Sequence, residues 1–253
     1  MIVNYPEFNG TTIVITGAAS GIGAAQTAAF LNQGAIVWAL DIQENQTIQQ
    51  FNRKFHDNFH FLQTDISQQA ALKLAVTKIM AAGSIDVLLN TAGILDAYRP
   101  TLETSEQSWD RVMNTNLKSM FLLTNGLLPR MLQQKHGVIV NMASIAGLVA
   151  GGGGAAYTAA KHGIIGYTKQ LDYDYAPLGI RANCLAPGAI DTPMNQADFA
   201  GDGKMAQQVA EQTPARRWAQ PTEVASATLF LASQQADFIH GTVLPVDGGW
   251  IEK

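Results

Sequence analysis

Tyr157 and Lys161 stand four residues apart in a run of helical period, so a helix there carries both side chains on one face, within reach of a common site. A free phenol loses its proton near pH 10, and a neighbouring ammonium favours the phenolate. Bringing the phenol to about 7 takes roughly 4 kcal/mol of differential stabilisation, which a partly desolvated pocket can supply. Such a pair is a proton donor usable near neutral pH. A Y-x-x-x-K spacing also arises by chance on protein surfaces. Here it follows an uncharged, glycine-rich approach, and Ser144 lies 13 residues before the tyrosine in Asn141-Met142-Ala143-Ser144. A hydroxyl at the carboxyl end of a sheet strand points into the crevice where open α/β sheets bind ligands.

A second constellation lies near the amino terminus. An apolar strand pattern runs into Thr16-Gly17-Ala18-Ala19-Ser20-Gly21-Ile22-Gly23 and then a helical pattern. Glycines at such a turn let a phosphate approach backbone N–H donors at the positive end of the helix. The spacing is G-x-x-x-G-x-G, which differs from the standard G-x-G-x-x-G dinucleotide fingerprint. Gly17, Ser20, Gly21, Ile22 and Gly23 are the expected phosphate-side contacts. Asp41 ends the second strand, 18 residues after Gly23, where a carboxylate accepts hydrogen bonds from both adenine-ribose hydroxyls. A carboxylate there repels a 2′-phosphate, and Ala18 and Ala19 offer no cation to bind one, so NAD is favoured over NADP. Asp65 and Ile66 follow the third strand at the adenine edge. Helix N-capping is the competing explanation for both Asp41 and Asp65.

These groups need a scaffold, and the hydrophobic pattern supplies one. Short β-branched runs at Thr12–Thr16, Ile36–Leu40, Phe59–Gln63, Val87–Asn90, Val138–Met142, Arg181–Leu185 and Val243–Val246 read as strands buried on both faces. Helical patterns near Gly21–Gln33, Thr47–Phe55, Gln68–Ala82, Glu106–Gln134 (in two pieces), Ala155–Ala176 and Thr222–Ala232 alternate with them. The alternation predicts an α/β, single-domain, Rossmann-type doubly wound parallel sheet of about seven strands with helices on both faces, spanning residues 1–253. The stretch Asp191–Arg217, with Gly201, Gly203 and two prolines, reads as a mobile substrate loop near 191–217 with some helix.

The chain has 253 residues, 16 Lys+Arg against 20 Asp+Glu and a net charge of −4, which gives no electrostatic footprint for nucleic acid or an anionic membrane. One cysteine, Cys184, closes no internal disulfide, and the five histidines form no metal motif: His56 and His60 are four apart, but Asp57-Asn58 breaks the helix between them. The amino terminus resembles no secretory signal, and the uncharged run 138–160 is broken by Asn141, Ser144 and Gly151–Gly154. A cytoplasmic protein with no membrane partner is expected.

Further segments complete a resemblance. Asn90-Thr91-Ala92-Gly93 is similar to an N-N-A-G strand end, Asn116 sits in Asn116-Leu117-Lys118, and Pro187-Gly188-Ala189-Ile190-Asp191-Thr192-Pro193 and Val246-Asp247-Gly248-Gly249 follow in order. Together with Thr16–Gly23, Ser144, Tyr157 and Lys161, the chain resembles the short-chain dehydrogenase/reductases of about 250 residues over essentially its whole length. It resembles both 3-oxoacyl-carrier-protein reductases and NAD-dependent secondary alcohol dehydrogenases. The resemblance implies Ser144 on the substrate oxygen, Tyr157 as proton donor, Lys161 on the nicotinamide ribose and lowering the Tyr157 pKa, and Asn116 anchoring a water relay. It also implies cofactor contacts from Asn90, Ala92, Gly93, Pro187, Gly188, Ile190 and Thr192, with NAD as cofactor and a homotetramer or homodimer. Asn116 has a structural alternative, since an amide inside a helix often bonds backbone and bends it. Thr91 departs from the pattern and puts one backbone support in question. Pocket walls expected from Ile94–Arg99, Ile145–Gly154 and Met194–Phe199 suit a neutral ketone or alcohol of modest size. Acyl carrier protein is the alternative partner; against it stand Leu178 at an expected basic position and Asp172 and Asp174 on the preceding helix. A non-catalytic NAD-binding scaffold is the alternative of a different class.

Overall fold

The computed structural model describes residues 4–252. Its seven strands are β1 (Thr12–Thr16), β2 (Ile36–Asp41), β3 (Phe59–Gln63), β4 (Val87–Asn90), β5 (Gly137–Met142), β6 (Ile180–Pro187) and β7 (Val243–Val246). They form one parallel sheet in the order β3-β2-β1-β4-β5-β6-β7. The helices are α1 (Gly21–Asn32), α2 (Gln46–Lys54), α3 (Gln69–Ala81), α4 (Glu106–Met113), α5 (Ser119–Gln134), α6 (Ala155–Tyr175), α7 (Lys204–Gln212) and α8 (Pro221–Ala232).

Alternate residues of the central strands feed two cores. Ile13, Ile15, Val87, Leu89, Val138 and Val140 pack on one face with Phe30 of α1 and Val224 and Leu231 of α8. Val14, Leu88 and Ile139 pack on the other with Ile79 of α3 and Leu123, Leu127 and Met131 of α5. This is why the strands read as continuous apolar runs: both sides of the pleat are covered. Strand order reverses between β1 and β4, so the carboxyl ends of these neighbours open a crevice at the switch point.

Between α4 and α5 the predicted break occurs as a π-helical turn, Asn114–Lys118. The insertion after β6 contains a 3₁₀ stretch, Pro193–Phe199, and α7. Its base is closed by Asp191 N donating to the Ala219 carbonyl (2.9 Å) and Ala219 N to that of Ala189 (2.9 Å). Arg217 adds a forked ion pair to Glu223 of α8 (2.7 and 2.6 Å). Among the described residues no helix is long and apolar enough to cross a membrane, and no group of three or more His, Cys, Asp or Glu could hold a metal ion. His60 lies half-buried in β3 with its ring against Trp38, while His56 is exposed ahead of the strand.

Candidate active site

β1 ends at Thr16, and the chain turns through Gly17 (φ +74°) and Gly21 (φ +50°) into α1. A Cβ on Gly23 would lie 2.0 Å from the Gly17 carbonyl oxygen, and one on Gly17 3.0 Å from Ala92 Cα, so only glycine closes this turn against β4. Ser20, the residue before α1, makes no side-chain capping bond, and Ser20, Gly21, Ile22 and Gly23 line the crevice. Helix-terminal donors left in this way can hold a pyrophosphate.

Asp41 fastens the turn from outside. Its Oδ2 accepts from Ala19 N (2.9 Å) and its Oδ1 from Gln43 N (3.0 Å). Each carboxylate oxygen keeps a lone pair, so the same group can receive a ribose diol. Asp41 is not the cap of α2; Asn45 is, accepting from Ile48 N (3.2 Å). Asp65 likewise caps no helix: α3 starts after Gln68, and Asp65 binds the N–H and hydroxyl of Ser67 (2.9 and 2.7 Å).

At the end of β4, Ala92 and Gly93 line the crevice, whereas Asn90 turns into the core, donating to Asn141 Oδ1 (2.8 Å) and Thr124 Oγ1 (3.2 Å). Its expected role at the cofactor is therefore indirect, through the strand it holds. Thr91 keeps the support that its departure from N-N-A-G put in question. Its hydroxyl donates to buried Gln26 of α1 (2.6 Å), Gln26 donates to Thr228 of α8 (2.9 Å), and Thr16 Oγ1 accepts from both Thr91 N (3.0 Å) and Ala92 N (3.1 Å). Asn116 takes its structural role: its amide exchanges both hydrogen bonds with the Ile94 backbone (2.8 and 2.9 Å) from within the π-helical turn. The side chain is thereby occupied, and it does not line the crevice; single π-turns inside helices are frequent at functional sites.

Tyr157, Lys161 and Ser144 converge at the floor, all three buried and lining one cavity. Ser144 Oγ accepts from Ala146 N (3.2 Å) and donates to the Pro187 carbonyl (3.5 Å), and its hydroxyl favours the phenolate of neighbouring Tyr157. Lys161 Nζ donates to the Met142 carbonyl at 2.8 Å and lies 5.3 Å from the Tyr157 ring centre. Burial pushes the phenol up to about 12, against the lowering expected from Lys161. The reason is that burial works on both groups: the ammonium, itself pushed down to about 8, is turned to a carbonyl rather than to the phenol oxygen.

That downward shift carries a stability consequence. The folded protein disfavours the charged lysine relative to the unfolded chain, a penalty absent above pH 10.5 and complete below about 8, worth roughly 3 kcal/mol. Lys161→Met, after about 1 kcal/mol for the lost carbonyl bond, is expected to raise the thermal midpoint of the cofactor-free protein by about 5 °C at pH 7. The gain should shrink between pH 8 and 10; a midpoint lowered at pH 7 contradicts this account.

The cavity measures about 960 Å³. The four consecutive glycines now have addresses. Gly151 and Gly152 line it, a Cβ on Gly153 would lie 2.4 Å from Tyr157 Cδ1, and one on Gly154 would strike the segment after β4. Pro187, Gly188, Ile190 and Thr192 form the wall after β6, with Thr192 Cγ2 3.2 Å from a Cβ built on Gly21. The expected walls are present as Leu95, Tyr98, Ile145, Met194 and Asp198. Met205, Val209, Trp218 and Trp250 add to them, unforeseen because α7 and the carboxyl-terminal tail reach the cavity only by folding back. Arg111 and Thr115 also line it; their i,i+4 spacing beside Asn116 was the signal that could have found them.

A family model described as enoyl-(acyl carrier protein) reductase matches residues 17–251. The chain is 37% identical over 253 residues to 3β-hydroxysteroid dehydrogenase 2 of Eggerthella lenta, covering 97% of this chain and 96% of that one. It is 37% identical over 246 residues to cyclopentanol dehydrogenase of Comamonas sp., covering 96% and 97%. The crystal structure of levodione reductase matches with a TM-score of 0.89 at 32% identity, over 96% of this chain and 98% of the other.

Proposed function

Since the chain belongs to the short-chain dehydrogenase/reductase family, whose members act on CH–OH groups and bind nicotinamide cofactors, we propose that it interconverts a neutral secondary alcohol and its ketone with NAD(H). The observation that carries this reading is the convergence of buried Tyr157, Ser144 and Lys161 at the floor of a cavity they share with the glycine turn. The chemistry that nicotinamide supplies when bound is hydride transfer to or from the carbinol carbon. Ser144 orients the substrate oxygen and Tyr157 exchanges its proton. Lys161 binds ribose hydroxyls, the start of α1 holds the pyrophosphate, and Asp41 receives the adenine ribose. Gly188, Ile190 and Thr192 hold the carboxamide side.

Leu95, Ile145, Met194, Val209 and Trp218 give the substrate end apolar walls. These favour a ring-borne alcohol with little charge, as the names of the two relatives suggest. The segment 191–217, pinned at its base, acts as a lid over that end. Asp172 argues neither for nor against a carrier-protein partner, because it is buried and bonded to Ala182 N (2.9 Å) and His240 (2.9 Å) rather than displayed on the surface.

The test follows absorbance at 340 nm with NAD+ or NADP+ across linear alcohols, cyclopentanol and a 3β-hydroxysteroid, and NADPH consumption with a 3-oxoacyl thioester. Reduction of NAD+ by a cyclic alcohol is expected. Turnover confined to the thioester would replace the substrate assignment, and cofactor binding with no turnover at all would leave a scaffold.

A further inference from the structure

The helix that carries Tyr157 has no cap of its own. Gly154 precedes it without a side chain, and its first turn holds no acid. Its leading N–H groups are instead taken by the segment after β4. Asp96 Oδ1 accepts from Gly154 N (2.9 Å), Asp96 Oδ2 from Tyr157 N (2.9 Å), and the Arg99 carbonyl from Ala155 N (3.1 Å). The carboxylate is 4% exposed, and it also accepts from Tyr98 N (3.2 Å). Ala97 and Tyr98 both have left-handed backbone, φ +58° and +56°, which residues with side chains adopt only when their surroundings enforce it. The fit leaves no slack: a Cβ on Gly154 would lie 2.6 Å from Asp96 Oδ2 and from the Arg99 backbone.

We propose that Asp96 is a positioning residue for the reaction, one carboxylate that fixes the Tyr157 phenol at the cavity floor and the Tyr98 ring in the cavity wall. A negative group at a helix N-terminus is favourable, and here it is supplied from another part of the chain, 61 residues before the tyrosine whose N–H it binds. The inference rests on Tyr157 being the proton donor. The groups facing that phenol are Ser144, Lys161, Tyr98 and Asp96; of these Asp96 and Tyr98 favour its neutral form, after burial, and Ser144 opposes it. Burial sets most of that upward push, and Asp96 adds to it in the same direction.

Asp96→Asn keeps the shape and replaces one acceptor with a donor, and Gly154→Ala presses on the same contact from the other side. Hydrogen–deuterium exchange should accelerate at least tenfold at residues 154–157 in both variants while the rest of α6 stays protected. The Tyr157 hydroxyl, followed by ¹³Cζ-tyrosine NMR, should titrate at lower pH in Asp96→Asn. With a turned-over alcohol, kcat should fall about tenfold and the cofactor KM stay within twofold. Unchanged exchange at 154–157 with an unchanged titration would overturn the proposal, as would unfolding of both variants, which would make Asp96 a folding residue only. Exchange and titration need no substrate. A wild-type protein without turnover would remove the dehydrogenase reading and with it the role in a reaction, while exchange and titration would still decide whether Asp96 holds Tyr157 in place.

Discussion

Tyr157→Phe is expected to lower kcat for alcohol oxidation by about a thousandfold while NADH binds within threefold of the wild-type affinity. Phenylalanine keeps the ring, and the ring is what packs: a Cβ on Gly153 would lie 2.4 Å from Tyr157 Cδ1, and Lys161 Nζ sits 5.3 Å from its centre. What leaves is the hydroxyl beside Ser144, the group proposed to give or take a proton on the substrate oxygen. A positioned proton donor accounts for about 10²- to 10⁴-fold, so a large loss in kcat with intact binding is the signature of that role. Retention of activity within tenfold of wild type would sink it. The same substitution has a high-pH signature. Because burial raises the phenol to about 12, the folded state holds its proton where the unfolded chain has released it. The stability Tyr157 contributes is full below pH 10 and is lost as pH rises through 12; the phenylalanine variant should lack that decline.

The sheet and most helices were legible because their signal is local. Ile13, Val14 and Ile15 alternate between two covered faces, so the run is apolar throughout, and the same holds for Val138, Ile139 and Val140. Boundaries moved by a residue or two, as where β2 extends to Asp41 and β6 to Pro187. Some helix was expected in the insertion, and α7 supplies it, but its bounds were not legible, since only Ala206 is buried along Lys204–Gln212 and the apolar stripe is correspondingly thin. The cavity gathers every residue expected at the site except Asn90 and Asn116, whose amides are committed to Asn141 and to Ile94. Those commitments depend on which strands and turns become neighbours, and no spacing encodes that. Asp96 is the clearest instance. As a residue in a loop it carries no periodic signal, and its partners lie 58 and 61 positions away. The role of Gly154 was equally invisible, because a glycine's reason is the atom that occupies the space its side chain would have filled.

Asp41→Asn is expected to move cofactor preference from NAD+ toward NADP+ by about a hundredfold in the ratio of kcat/KM, with both parts of the shift traceable to one charge. For NAD+, the carboxylate offers charge-assisted hydrogen bonds to the ribose diol worth roughly 1.5–3 kcal/mol, and an amide that must turn one nitrogen outward keeps only part of this. For NADP+, a 2′-phosphate carrying close to two charges beside Asp41 is repelled by about 2 kcal/mol even with water-like screening, and the amide removes that term. Partial exposure of Asp41 at the crevice mouth keeps both effects within this range. The substitution also acts on the turn itself, since Asp41 holds Ala19 N at 2.9 Å and Gln43 N at 3.0 Å and asparagine can accept from only one side. A loosened turn would weaken both cofactors alike, whereas loss of the charge separates them. Steady-state kinetics with the two cofactors at low and high salt resolve the contributions: the NADP+ gain should diminish at high salt as the wild-type repulsion is screened. Equal loss for NAD+ and NADP+ at every ionic strength would reduce Asp41 to a support for the glycine turn.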